Sequence, residues 1–345
     1  PDVLLCRAPV SLPDDVRRKI ALFTNVDMEA VVSAYDVQST LYEIPLMYHR
    51  QGLDTIVLER LDMEFPEANL TGWQHVVDVV TGSNCTVKIA VVGKYIDLSD
   101  SYKSVDEALF HGGIANDCKV ELVKIDSERL EKSQDDLERI FRGIDGILVP
   151  GGFGGRGING MVAVAGYARE HGIPYLGICL GMQVMVIEYA RSVLGFEDAD
   201  STEFAPECAH PVVGLLEEQI DVKNYGGTMR LGASHSRLLP DTLIRSVYGT
   251  EIITERHRHR YEVSNTYRQR LNEAGLITGG VTEDYSLVES LEWDGHRWGL
   301  GVQFHPEFRS KPIDAHPLFR AFVGAARDLA RESSHDAEAF AVSEK

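Results

Sequence analysis

A glycine-flanked cysteine constrains the fold of this chain more than any other feature. The run at 177–181 reads Gly-Ile-Cys-Leu-Gly; it follows the apolar segment 173–176 and precedes a helical pattern. A nucleophile between small residues at a strand-to-helix turn forms a nucleophile elbow, where the backbone turns sharply and holds the side chain outward. The sequence therefore predicts an α/β domain that presents Cys179 for covalent acyl chemistry.

Alternating strand and helix patterns around this run support the same fold class. Such alternation predicts a mostly parallel sheet flanked by helices, with ligands bound at the carboxyl ends of the strands. Asp294 and Gly295 predict a hairpin turn between apolar strands at 287–293 and 298–304. The predicted strands are 87–92, 120–125, 146–149 and 173–176, and the predicted helices are 104–110, 134–140 and 161–170.

Residues 1–84 form a separate block that ends in the polar stretch Thr-Gly-Ser-Asn. The apolar run at 20–23 predicts a buried strand, and helical patterns follow at 28–37 and 44–51, with another helix beginning at Pro66. The predicted domains are therefore 1–84, 85–331 and a disordered polar tail at 332–345.

Composition narrows the class of protein. The net charge of −19, from 34 basic and 53 acidic residues, disfavours nucleic-acid binding. No apolar run approaches the roughly 20 residues that a membrane helix needs, so we expect no membrane partner. Five cysteines without a CxxC pair favour a reducing, cytoplasmic location over a disulfide framework. The first residue is Pro and no basic leader follows, so we expect the interior of a longer chain.

A thiol at neutral pH needs a base to become a nucleophile. His305 follows an apolar strand, and Glu307 is placed to hold its second ring nitrogen, as in other triads. The backbone N–H groups of Leu180 and of Gly151 are the predicted oxyanion donors. A buried structural cysteine and a strand-end histidine are the alternatives, which the joint occurrence of these features disfavours. A phosphate loop at 151–160 is less well supported, because GxxxxGK[ST] is missing.

Three motifs resemble the class I glutamine amidotransferases, which have a flavodoxin-like α/β fold. They are Pro-Gly-Gly-Phe-Gly at 150–154, the elbow at 177–183 and Phe-His-Pro-Glu at 304–307. Three further motifs are more specific and resemble the CTP synthases. They are Ser-Thr-Glu-Phe at 201–204, Gly-Gly-Thr-Met-Arg-Leu-Gly at 226–232 and Glu-Arg-His-Arg-His-Arg-Tyr-Glu at 255–262. The resemblance runs from residue 1 to about residue 330.

The resemblance implies a glutaminase site built on the triad Cys179, His305 and Glu307. Physically, the Arg260 fork suits the glutamine α-carboxylate and Glu203 suits the α-ammonium group. A solvated basic strand is the alternative for residues 256–260. The glutamine-binding residues that the resemblance implies are Gly152, Leu180, Gly181, Met182, Gln183, Glu203 and Arg260.

The resemblance also implies nucleotide sites. Residues 1–84 would be the end of an α/β, P-loop-type synthetase domain, with Lys19 contacting UTP or product CTP. Arg156 and Arg230 would belong to a loop that responds to GTP, for which an ordinary surface loop is the alternative. The full enzyme would require Mg-ATP, with GTP as an allosteric activator, and no cofactor or metal would be tightly bound in this chain. The implied ATP-binding residues are Arg7, Tyr35, Asp36 and Val37.

The sequence as a whole therefore predicts the glutaminase half of an enzyme that aminates UTP to CTP. The family's N-terminal phosphate loop and magnesium-binding acidic residues are not in this sequence, so we expect this chain alone to hydrolyse glutamine at best. Homotetramers and filaments are expected by resemblance. Two alternatives remain open: a glutaminase that serves a different acceptor enzyme, and a non-catalytic assembly fragment.

Overall fold

The computed structural model describes residues 1–98, 100–132, 137–215 and 229–343. The predicted start of a helix at 134 and the Gly-Gly-Thr segment at 226–228 lie outside the described residues. The chain divides into two compact units, Pro1–Asn84 and Cys85–Lys345, which are described separately below. The division falls where the sequence changes from a polar stretch to a strand pattern.

The first unit contains a parallel strand pair whose strands are joined through a helix. β1 and β2 pair in register, with Leu4 opposite Val31 and Ala8 opposite Tyr35. Val31 and Val32 are completely buried, as expected for β-branched residues in a strand that packs into a small core. The elements are β1 (Leu4–Ala8), α1 (Asp14–Thr24), β2 (Val31–Tyr35), α2 (Ile44–Arg50), α3 (Leu53–Arg60) and α4 (Thr71–Gly82).

Three predicted elements of this unit differ from the structure. The run at 20–23 is not a strand; it lies in α1, and Phe23 is 87% exposed. The predicted helix at 28–37 is a short 3₁₀ turn followed by β2. The helix predicted from Pro66 begins only at Thr71. Apolar runs this short fit a strand and a helix equally well, so the period alone could not separate them.

The second unit is built on a nine-stranded mixed sheet, which confirms the α/β class. The strand order is β10-β9-β12-β13-β14-β6-β5-β3-β4, and β11, β8 and β7 form a small second sheet. The strands from β14 to β4 in this order are parallel, whereas β13, β12, β9 and β10 are added antiparallel. The predicted hairpin at Asp294 and Gly295 is confirmed. The strands are β3 (Thr86–Gly93), β4 (Lys119–Asp126), β5 (Gly146–Val149), β6 (Tyr175–Ile178), β7 (Ala199–Ser201), β8 (His210–Gly214), β9 (Arg230–Leu238), β10 (Ile252–His259), β11 (Glu262–Val263), β12 (Leu276–Thr282), β13 (Val288–Trp293) and β14 (Gly299–Val302).

Helices cover both faces of this sheet. Along β3, Val87, Ile89 and Val91 enter one apolar cluster, while Ala90 and Val92 enter the other. This alternation is the period-two pattern of a strand buried on both sides. The helices are α5 (Lys103–Ile114), α6 (Ser127–Lys132), α7 (Leu137–Phe141), α8 (Ile158–Glu170), α9 (Leu180–Ser192), α10 (Leu243–Tyr248), α11 (Asn265–Glu273) and α12 (Pro317–Ser343).

Two helices of this unit differ from the sequence-based expectation. The spacing of apolar residues after the elbow (Met182, Met185, Val186, Tyr189 and Val193) predicts an amphipathic helix. In α9, however, every residue from Leu180 to Ala190 is buried. The backbone of residues 332–343 is helical and continues α12, where the sequence predicts a disordered tail. Alanine and glutamate in this stretch are strong helix formers, which favours continuation of the helix. In the described residues, we find no helix with the length and apolar character of a membrane span.

Candidate active site

The nucleophile elbow occupies the junction of β6 and α9. Cys179 lies between Ile178 and Leu180 with φ 53° and ψ −99°, a strained backbone conformation that points its side chain out of the sheet. A Cβ atom on Gly177 would lie 2.5 Å from the carbonyl of Gly181, and one on Gly181 would lie 2.0 Å from the carbonyl oxygen of Val149. Both glycines are therefore required for the close approach of helix and strand.

The main chain of His305 is held by the backbone of β10, and its ring is held by one carboxylate. The backbone N–H of His305 donates to the carbonyl oxygen of Arg256 in β10 at 2.8 Å. Its Nδ1 lies 2.7 Å from Oε1 of Glu307, which follows in a 3₁₀ turn. Because the carboxylate accepts the Nδ1 proton, Nε2 is the ring nitrogen that remains for the interaction with Cys179. The Phe308 ring stacks on the imidazole, with 5.5 Å between the two ring centroids.

The charge state of His305 follows from these contacts. Burial lowers the pKa of His305, but the interactions with Cys179 and Glu307 outweigh burial and raise its pKa to about 10. The imidazole therefore carries its second proton at neutral pH. A protonated imidazole beside a thiol at a helix N-terminus stabilises the thiolate, which is the nucleophilic form of cysteine.

The glycine turn after β5 passes beside the cysteine and the histidine. A Cβ atom on Gly151 would lie 2.8 Å from Cε1 of His305 and 3.6 Å from Cβ of Cys179. A Cβ atom on Gly152 would lie 3.2 Å from Cδ2 of Leu180. The structure thus brings both predicted oxyanion-donor residues, Gly151 and Leu180, to the nucleophile.

Glu203 lies beside this turn, and the charge of Arg260 acts on it. Oε1 of Glu203 accepts a hydrogen bond from the N–H of Gly154 at 2.7 Å. Burial raises the pKa of Glu203, and the Gly154 N–H and the nearby charges of Lys94 and Arg260 partly offset it. Nζ of Lys94, a residue only 3% exposed, donates to the carbonyl oxygen of Phe153 at 3.2 Å. Lys94 was not predicted from the sequence, where it follows a strand like any surface lysine.

The side chains of Met182 and Gln183, in the first turn of α9, are buried inside the protein. The Met182 side chain is completely buried, and its Cγ would lie 2.8 Å from a Cβ atom on Gly301. Nε2 of Gln183 donates to the carbonyl oxygen of Tyr261 at 3.1 Å and to Oε1 of Gln303 at 3.3 Å. Gln303 was missed as well, although a polar residue at the end of an apolar strand, beside the Phe-His-Pro-Glu motif, is a usable signal.

Comparison with protein families decides between the possible classes of triad enzyme. The family model "Glutamine amidotransferase class-I" matches residues 97–325, and the model "CTP synthase N-terminus" matches residues 1–63. The chain belongs to the CTP synthase family. The resemblance of the sequence motifs is thereby confirmed.

The CTP synthase relatives are similar over nearly the whole chain. The CTP synthase of Geobacter sulfurreducens is 50% identical over 329 residues, which cover 95% of this chain and 61% of the relative. That of Rubrobacter xylanophilus is 51% identical over 333 residues, covering 96% of this chain and 60% of the relative. The solved glutaminase domain of Trypanosoma brucei CTPS with bound acivicin is 42% identical, with a TM-score of 0.66; the match covers 70% of this chain and 94% of that domain. The chain thus spans about three fifths of the length of these curated relatives.

The residues that CTP synthase resemblance assigns to UTP and ATP lie in the first unit. Arg7 forms an ion pair with Asp36, at the ends of β1 and β2, and Tyr35 is paired with Ala8. Lys19 is exposed on α1. The structure therefore brings together Arg7 and Asp36. Val37 follows them and is half-buried. Among the residues described, no cluster of His, Cys, Asp and Glu has the geometry of a metal site.

The two arginines assigned to a GTP-responsive loop have different surroundings. Arg156 donates to the carbonyl oxygen of Lys94 at 2.6 Å and stacks over the Tyr95 ring at 5.6 Å. Arg230 is the first residue of β9 and pairs with the buried carboxylate of Glu289. The Arg230 guanidinium is therefore engaged inside the second unit. The part of the predicted loop at 226–228 lies outside the described residues.

Proposed function

We propose that this chain hydrolyses L-glutamine to glutamate and ammonia, with Cys179 as nucleophile. The observation that carries the proposal is the contact of a protonated His305, fixed 2.7 Å from Glu307, with a cysteine at a strained strand-to-helix elbow. Membership in a family with a glutamine amidotransferase domain supports the choice of a carboxamide substrate.

The acyl-transfer step follows from this geometry. The Cys179 thiolate adds to the carboxamide carbon, and the oxyanion that develops accepts hydrogen bonds from the N–H groups of Leu180 and Gly151. His305 gives its Nε2 proton to the leaving nitrogen, the C–N bond breaks, and ammonia departs from a thioester. A water molecule then gives a proton to His305 and adds to the thioester. The C–S bond breaks, glutamic acid leaves and loses its carboxyl proton to solvent, and the thiolate is restored.

Glutamine binding is proposed for the pocket beside the glycine turn. Arg260 would hold the α-carboxylate through a bidentate fork, and Glu203 would hold the α-ammonium group. The proximity of these two charges to each other and to Gly154 supports this assignment. The backbones of Gly152 and of α9's first turn, residues 180–183, would line the remainder.

For the whole protein, we infer that the ammonia aminates UTP to CTP at the expense of Mg-ATP. The match to the N-terminal CTP synthase model and the names of the curated relatives support this inference. Lys19 would contact UTP or CTP, and the segment 35–37 with Arg7 would contact ATP. Activation by GTP through Arg156 and Arg230, assembly into tetramers and a cytoplasmic location belong to the same proposal.

The test replaces the nucleophile. Cys179→Ala is expected to lower glutamine hydrolysis by this chain to background, because no other thiol lies in the elbow. In the whole protein the same change should abolish CTP formation from glutamine, UTP and ATP while leaving CTP formation from ammonium salts intact. Cys208→Ala, a half-buried thiol outside the site, is the matched control and should retain activity. Undiminished glutamine hydrolysis by Cys179→Ala would refute the proposal.

A further inference from the structure

Gln303 contacts the reacting sulfur of Cys179 from inside the protein. The residue follows the last residue of β14 and its side chain is completely buried. Its backbone N–H donates to the carbonyl oxygen of Glu289 at 2.9 Å, which fixes its main chain. Its side-chain Nε2 lies 3.6 Å from Sγ of Cys179, a normal distance for a hydrogen bond to sulfur. The catalytic sequence proposed above makes no use of this residue.

The orientation of the Gln303 amide follows from a chain of hydrogen bonds. The carbonyl oxygen of Tyr261 can only accept, so Gln183 must turn its NH₂ group toward that carbonyl, at 3.1 Å. The same NH₂ group then donates to Gln303 at 3.3 Å, which requires an oxygen there. The remaining group of Gln303, its NH₂, must consequently face the sulfur of Cys179. The donor therefore faces the thiol irrespective of how either amide is assigned.

We propose that Gln303 is a catalytic residue whose amide N–H donates to the Cys179 thiolate and stabilises it. A hydrogen bond to the charged form of a group favours that form. The imidazolium of His305 and the amide of Gln303 would share the negative charge of the sulfur before attack and when the thioester breaks. The inference rests on the proposed glutaminase function, because it assigns Gln303 a part in the same nucleophilic step.

The experiment measures the thiolate directly. Gln303→Met keeps the length of the side chain and removes the donor, and Gln303→Glu keeps the shape and places a carboxylate against the sulfur. Iodoacetamide labelling of Cys179 is followed over pH 4–10 by peptide mass spectrometry, which separates it from the other cysteines. Gln269→Met is the matched control, because Gln269 is an exposed glutamine on α11 that bonds Glu273.

The expected result is an upward shift of the pH midpoint for Cys179 labelling, by about one unit in Gln303→Met and by more in Gln303→Glu. The kcat for glutamine should fall about tenfold in Gln303→Met, with KM nearly unchanged. A labelling midpoint equal to that of the wild type in both variants, at wild-type melting temperature, would overturn the proposal. If the wild-type chain proved unable to hydrolyse glutamine, the labelling shift would still be measurable, so the two failures are distinguishable.

Discussion

At the scale of single residues, the site depends on the absence of a side chain at position 151. The space that a Cβ atom of Gly151 would occupy is taken by the His305 ring, whose Cε1 lies 2.8 Å away. That distance is shorter than real carbon contacts, so the ring would have to move. The ring is held by Glu307 and its main chain by the carbonyl oxygen of Arg256, so a displaced ring strains the Nδ1 contact with Glu307.

Gly151→Ala is therefore expected to reduce kcat for glutamine hydrolysis by about 10- to 100-fold, since small misplacements of catalytic groups have effects of this size. KM should change less, because Glu203 and Arg260 are not displaced. Steady-state kinetics provide the measurement. Gly155→Ala is the control in the same turn, since its Cβ atom would meet Phe204 at an ordinary 3.7 Å. Equal kcat values in the two variants would show that the ring tolerates the added methyl group.

The residues that could be predicted from the sequence are those with a local signature. Cys179 lies between Gly177 and Gly181, and His305 lies two residues before Glu307. The spacing within each motif therefore indicates how its residues are arranged. Lys94 and Gln303 could not be found in this way, because their partners are far along the chain: Phe153 and Cys179 are 59 and 124 residues away. Only the folded sheet brings such pairs together.

At the scale of elements, an ion pair whose carboxylate is buried connects the nucleophile helix α9 to α8. Nε and Nη2 of Arg169 donate to the two oxygens of Glu188 at 3.1 and 2.8 Å. The Glu188 side chain is only 3% exposed. A buried carboxylate without its partner is costly, which ties the position of α9 to that of α8.

Arg169→Met is expected to lower the free energy of unfolding by about 3 kcal/mol, because it leaves the Glu188 carboxylate buried and unpaired. The double variant Arg169→Met/Glu188→Met should lower the free energy of unfolding by less, since neither charge remains. Urea unfolding is the measurement. The exposed pair Arg297–Glu332 is the comparison, and Arg297→Met should cost about 1 kcal/mol or less. If Arg169→Met lowered the free energy of unfolding no more than Arg297→Met, the ion pair would not be what fixes α9 against α8.

Helices and strands could be predicted from the sequence where glycine, proline or acidic residues mark their ends. β3 ends at Gly93 and β5 ends just before Pro150, and the sequence predicts both strands to within one residue. The apolar run at 20–23 by itself fits a strand, whereas the acidic residues Asp14 and Asp15 mark the start of a helix that includes this run. For α9, complete burial depends on the sheet and on α8, which no local pattern of its own sequence encodes.

At the scale of the whole molecule, several buried groups bind protons differently in the folded and unfolded states. Burial and the neighbouring Glu289 carboxylate raise the pKa of Glu262 to about 8. Burial lowers the pKa of His257 to about 2 and that of His259 to about 3, and the Arg230 charge adds to both effects. The two histidines contribute stability above their ordinary pKa of 6.5 and lose it as the pH falls. Glu262 contributes stability below its ordinary pKa of 4.5 and loses it as the pH rises toward 8.

Glu262→Gln removes a group that is ionised in the unfolded chain but protonated in the folded chain between pH 5 and about 8. In the wild type, the unfolded chain releases the Glu262 proton near pH 4.5 while the folded chain retains it, so stability falls with pH by up to about 1.4 kcal/mol per unit from this residue. The free energy of unfolding of Glu262→Gln, relative to that of the wild type, should therefore rise steadily from pH 5 to pH 8. This holds whatever the difference between the two proteins is at pH 5. Urea unfolding at pH 5, 6, 7 and 8 measures the difference. Glu332→Gln, at an exposed carboxylate whose pKa Arg297 lowers, should show a difference that does not change over this range. A constant difference for Glu262→Gln would mean that Glu262 is already ionised in the folded protein at pH 5.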